Sequence, residues 1–244
     1  MFHAGLLPRP EPPAPDWPAR LRAQAAHLRD PRLRAFCAAG TVPGHTPLRE
    51  VPLLALDLET TGLDPERDGI VSLGLVPLTL ERVQASAARH WLLRPRVPLG
   101  DAAVTVHGIT HQQIDQAPDL DAVLGEVLQA LAGHVVVVHC RAVERGFLDS
   151  ALRRRLGETL DFPVIDTMAL EARWRRTPVP LWRRWLGQAP APVSLRLAAC
   201  RERYGLPRYR LHHALTDALA TAELLQAQVA HHLLPDTPVR ELWL

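Results

Sequence analysis

Leu53-Leu54-Ala55-Leu56-Asp57-Leu58-Glu59-Thr60-Thr61-Gly62 is the stretch whose reading decides this chain. An apolar run closes on two carboxylates one residue apart, then meets a hydroxyl pair and a glycine. On a strand, residues i and i+2 share a face. Asp57 and Glu59 therefore project together, and Leu56 and Leu58 point the other way. Two adjacent carboxylates repel unless positive charge sits between them. A divalent cation held by hard oxygen ligands fills that role. An isolated Asp-x-Glu would be read as a strand end with solvated acids. Here the hydrophobic strand before the pair favours a metal, as does the Thr-Thr-Gly turn after it, whose N–H groups can face a ligand.

The rest of the chain narrows the setting. Its 244 residues, 47% of them hydrophobic, suffice for one sizeable domain with additions or for two small ones. There is no apolar run of about 18 residues, so no membrane span is expected. Residues 1–18 are proline-rich and carry acids, unlike the basic-then-apolar layout of a signal peptide. Cys37, Cys140 and Cys200 are far apart, which indicates neither a zinc cluster nor a disulfide framework. A reducing, cytoplasmic setting is expected. No lysine occurs, so all 28 basic residues are arginine. That excludes a P-loop lysine, a Schiff-base lysine and a lysyl-adenylate mechanism. The formal charge of +2 says little about partners. Arg153-Arg154-Arg155, then Arg173, Arg175, Arg176, Arg183 and Arg184, interleave with Trp174, Trp182 and Trp185. Such a stretch suits phosphate contacts and base stacking. It equally suits a solvated helix face with tryptophans turned into the core.

Coarse organisation follows from periodicity. Residues 16–39 read as helical after the proline cluster, and 41–50 as a linker, so 1–50 form an N-terminal helical extension. Strands are expected at 51–58, 69–78, 84–93, 134–139 and 163–165. Helices are expected at 119–132, 143–156, 167–175, 194–204 and 214–233. Residues 174–193, rich in arginine, tryptophan and proline, read as an irregular insertion. The main domain is 51–233, and 234–244 form a tail. Strands first, then strand–helix alternation, predict an α/β sandwich with a mixed central sheet.

Three further places offer ligands. In Val138-His139-Cys140-Arg141-Ala142-Val143-Glu144 a buried strand enters a helix, and Glu144 lies in its first turns. The helix dipole alone would favour an acid there. His212-His213-Ala214-Leu215-Thr216-Asp217 opens the last helix. His212 can meet Asp217 if it precedes the helix and Asp217 sits on the first turn. His107-Gly108-Ile109-Thr110 is a loop whose glycine permits close backbone approach. A Cys140–His139 nucleophile is rejected, because neighbours on a strand face apart.

In this order the four segments resemble the motifs of the DEDDh family of 3′–5′ exonucleases, of the DNA polymerase III epsilon-subunit type. The resemblance covers roughly residues 51–232 and departs at one position, where the family has aspartate and this chain has Glu144. It implies a ribonuclease H-like three-layer sandwich. It also implies hydrolysis from the 3′ end with two divalent ions, Mg2+ or Mn2+. Asp57, Glu59, Glu144 and Asp217 would be the metal ligands and His212 the general base, with His213 as the alternative base. Thr60, Thr61, Leu63, His107 and Ile109 would line the terminal nucleotide's pocket. The implied partner is a single-stranded 3′ end of DNA or RNA, with a DNA polymerase or repair protein beside it. The competing reading is a catalytically weak nucleic-acid-binding or polymerase-associated module, in which Glu144 marks a decayed site.

Overall fold

The computed structural model describes residues 14–97, 109–175, 193–210 and 212–244. The helices are α1 (Trp17–His27), α2 (Pro31–Ala39), α3 (His111–Gln116), α4 (Leu120–Leu131), α5 (Arg141–Leu156), α6 (Thr167–Arg175), α7 (Leu197–Arg203) and α8 (Ala214–His232). The strands are β1 (Leu53–Thr60), β2 (Ile70–Leu78), β3 (Arg89–Leu92), β4 (Val135–Val138) and β5 (Val164–Asp166). They form one mixed sheet in the order β3-β2-β1-β4-β5. β1 pairs antiparallel with β2 and parallel with β4.

The alternation of β1 divides the core. Leu54, Leu56 and Leu58 join α2, α4 and α5 in one apolar cluster. Leu53 and Ala55 join α6 and α8 in another. A three-layer sandwich results, as expected. The four valines of β4 are fully buried, which suits a parallel strand covered on both faces. Asp57 and Glu59 continue the Leu53–Ala55 face, so they emerge toward α8.

Three expectations change. Residues 1–50 read as an appended arm, yet Leu21, Leu33, Phe36 and Cys37 belong to the central cluster. Their apolar positions are few and spaced among arginine and alanine, which hides the packing face. The linker and the tail are zipped together: Leu48 N–H donates to Thr237 O, and Val239 N–H to Thr46 O. Trp243 of the tail is buried in the second cluster. The strand expected at 84–93 shrinks to Arg89–Leu92, because Ala85–Ala87 form a 3₁₀ turn. Helix α3 was not anticipated. Its signal was the capping box of Thr110 and Gln113. Most of the 174–193 insertion lies outside the described residues. Among those residues, no helix is long and apolar enough to cross a membrane.

Candidate active site

Asp57 and Glu59 lie toward the C-terminal end of β1, the central strand, and a register shift between Glu59 and Thr60 ends the regular ladder there. Asp217 arrives from the first turn of α8 and Glu144 from the first turn of α5. Both helix N-termini favour negative charge. Carboxylate oxygens of Asp57, Glu59 and Asp217 lie within 4.8 Å of one another. Asp57 is half-buried; Glu59, Glu144 and Asp217 are buried.

A glycine allows this convergence. Gly74 of β2 pairs with Asp57. A Cβ built on Gly74 would sit 2.5 Å from the carbonyl of Ala214. The first turn of α8 thus rests directly on β2, and Asp217 reaches β1. The sequence signal was a lone glycine inside the apolar strand at 70–78, a mark of close backbone approach.

Three acids of the cluster, Asp57, Glu144 and Asp217, are raised by burial and by neighbouring acids. Burial pushes the Asp57 carboxyl well up, and the charges of Glu144, Asp217 and Glu59 push it further. Burial raises Glu144 to about 8, with Asp166 adding repulsion. Burial raises Asp217 to about 6, opposed by the His212 N–H and aided by Glu59. Glu144 Oε2 and Asp217 Oδ1 are buried and make no hydrogen bond. Buried carboxylate oxygens left so are costly. Hard oxygen donors in this number fit a divalent cation.

His212 sits at the mouth with an exposed side chain. Its N–H donates to Asp217 Oδ2 at 2.9 Å. Its φ of 74° is the only positive value at a non-glycine among the described residues. Such a conformation costs roughly 1–3 kcal/mol and persists only where its surroundings enforce it. His213 is also exposed and stacks on His90 of β3 at 4.9 Å.

The 61–69 loop is folded by its own hydroxyls. Thr60 Oγ1 donates to Gly62 O and Thr61 Oγ1 to Asp68 Oδ1. Asp68 fills the space where a side chain at 62 would stand. Leu63 is left 90% exposed at the tip. Ile109 is half-buried just before α3. His107 lies outside the described residues. His139 is buried between Thr167 Oγ1 and Leu195 O, far from any nucleophile role.

Asp166 was missed by sequence reasoning. It is buried at the end of β5 and faces Glu144. Its carboxylate accepts N–H bonds from Arg141 of α5 and from Met168 and Ala169 of α6. It holds two helix starts together, including the one that carries Glu144. The signal was an aspartate at a strand–helix junction, where it caps the helix.

The arginine run is paired within the chain, with Arg153 and Arg154 on the surface. Arg155 forms two bonds to Asp119, Arg153 pairs with Asp149 and Glu66, and Arg154 donates to Pro65 O. Trp174 packs on the second cluster and stacks on His232. Among the described residues, this stretch follows the reading of a helix face with tryptophan turned inward.

Comparison with known proteins agrees with the geometry. Residues 54–225 match the family model RNase_T, described as exonuclease. A DNA polymerase III PolC-type protein of Thermotoga maritima is 29% identical over 178 residues, 72% of this chain. This chain spans only 12% of that relative's length. A DNA polymerase III subunit epsilon-like protein of Rhodobacter capsulatus is 31% identical over 73% of this chain and 24% of its own. The nuclease domain of 3′hExo, a DEDDh family member solved with bound rAMP, shares the fold. It has a TM-score of 0.59 at 18% identity, over 74% of this chain and 92% of that one. The match runs through β1, α5 and the first half of α8, and it carries every acid of the cluster: the chain belongs to the RNase_T exonuclease family.

Proposed function

We propose that this chain is a metal-dependent 3′–5′ exonuclease that releases nucleoside monophosphates from the 3′ end of a nucleic acid. The observation that carries the reading is the convergence of four acids from β1, α5 and α8. Three lie within 4.8 Å of one another, and two bear buried oxygens without partners.

Asp57, Glu59 and Asp217 would hold one cation. Asp57 and Glu144 would hold a second, and Mg2+ or Mn2+ suits such oxygen donors. Bound there, divalent ions supply an activated water and charge neutralisation at the scissile phosphate. The chain's own residues do the rest. His212 stands exposed beside Asp217 and would take the attacking water's proton on its imidazole. Leu63 would offer an apolar face to the terminal base. Thr60, Thr61, His107 and Ile109 would shape the pocket floor, with the two threonines acting through the loop they tie. The presence of all four acids and of His212 counts against a decayed module.

DNA is the favoured substrate, because the polymerase III proteins share this domain's sequence. RNA is the second reading, favoured by the rAMP in the 3′hExo structure. The same relatives support a DNA polymerase as partner. Three free cysteines fit a cytoplasmic setting.

The test is digestion of 5′-labelled single-stranded DNA and RNA with Mg2+ or Mn2+, beside Asp57→Ala. The expected result is a ladder shortening from the 3′ end, faster on DNA and absent in the variant. Equal ladders from wild type and variant would refute the site. No ladder on either substrate with either metal would refute the activity.

A further inference from the structure

His212 is held in a left-handed conformation, and nothing in its own side chain enforces that. Its own N–H is tied to Asp217, and on its other side His213 caps the start of α8. The chain reaches it from upstream through the strap of residues 205–210, which leads from α7 toward His212.

That strap is clamped to α8. Arg201 of α7 is 3% exposed. Its Nη1 donates to Ala220 O at 2.6 Å, deep in α8. Its Nη2 donates to Pro207 O of the strap at 2.9 Å and to Glu223 Oε2 of α8 at 2.7 Å. The guanidinium lies 4.6 Å from the ring centroid of Tyr209. The Tyr209 hydroxyl donates to Glu223 Oε1 at 2.8 Å. One buried cation thus joins three elements, and one carboxylate receives both the cation and the strap's tyrosine. Charge-assisted bonds of this kind are strong and directional. Glu223 lies six residues beyond Asp217 on the same helix. The clasp and the acid that receives the His212 N–H are therefore fixed on one rigid rod.

We propose that Arg201, Glu223 and Tyr209 form a positioning clasp. It sets the strap's length and direction so that His212 is held over Asp217. The proposal rests on the reading of His212 as the proton acceptor. None of the three touches the reacting atoms; each acts through the backbone of His212.

Tyr209→Phe tests it with little risk to folding, since the ring stays over the guanidinium and one hydrogen bond is lost. Three quantities are measured: kcat and KM on a 5′-labelled oligonucleotide, the same in a His212→Ala background, and amide hydrogen exchange at His212. The expected kcat loss is about tenfold with KM within about twofold, the signature of a misplaced catalytic group. In the His212→Ala background the second substitution should add nothing. Exchange at His212 should accelerate, with the interior of α8 unchanged. Glu223→Gln, which keeps the shape but not the charge, should show the same pattern. Unchanged exchange at His212 would overturn the clasp. So would a full further tenfold loss in the His212→Ala background. The exchange measurement needs no substrate, so it decides the clasp even if the wild-type chain cuts nothing, an outcome that would refute the nuclease reading separately.

Discussion

Glu144 is the residue at which this chain departs from the family pattern. It has one methylene more than aspartate, which moves the carboxylate by about 1.5 Å, one C–C bond. The structure shows how the longer side chain is accommodated. It is buried, faces Asp57 and Asp166, and keeps Oε2 without a hydrogen bond. A decayed position would be expected to lose its carboxyl group or turn to solvent. Glu144→Gln keeps the shape and removes the charge. It should lower the nuclease rate by about 10²–10³, the range for losing one electrostatic contact in a site. It should also raise the melting temperature of the metal-free chain near pH 7, because folding no longer has to take up a proton at this position. A rate within tenfold of wild type would show that Glu144 has no part in the reaction. Asp57, Glu59, Glu144 and Asp217 were all legible in the sequence, since each stands in a short motif with fixed spacing. Asp166 was not, because a helix-capping aspartate looks the same whether or not it borders an acid cluster.

At the scale of elements, the contact between β2 and α8 decides whether the acids meet. Gly74 lets the first turn of α8 lie on the sheet. Gly74→Ala would force a methyl against the Ala214 backbone, and overpacking of this kind costs about 1–3 kcal/mol. It should also move Asp217 away from Asp57, so activity should fall by more than about tenfold. Denaturant unfolding and digestion rates check both. A variant with wild-type stability and rate would mean that α8 can shift without consequence. The strands and long helices were readable because buried valines and helical spacing mark them directly. Helix α3 and the shortened β3 were not: a six-residue helix is set by its cap, and an exposed edge strand carries no strong alternation.

For the whole molecule, α1, α2 and the segment after α8 are part of the core. Phe36 of α2 is buried edge-to-face on Phe162 at 6.1 Å. Phe36→Ala should destabilise by about 3–5 kcal/mol. A loss under about 1 kcal/mol in denaturant unfolding would restore the picture of an appended arm. Local periodicity does not reveal this packing, because residues 17–39 pack on partners far along the chain, such as Phe162. The acid cluster also sets how stability varies with pH. Folded Glu144 and Asp217 hold protons up to about pH 8 and about pH 6, above their ordinary values of 4.5 and 3.8. The unfolded chain gives those protons up first, so stability without metal is fully present below about pH 4. It then falls as pH rises toward 8. The melting temperature of the metal-free chain should fall by several degrees across that window, and Mg2+ should reverse the fall. A flat profile would mean that the acids are not strained in the fold. The central claim is that these acids form a cation site. Calorimetric titration of Mn2+ at pH 7, in two buffers of different ionisation heat, tests it most directly. The account predicts binding to the wild-type chain with proton release, and loss of both in Asp57→Asn. Binding that is absent from the wild type, or unchanged in Asp57→Asn, would contradict it.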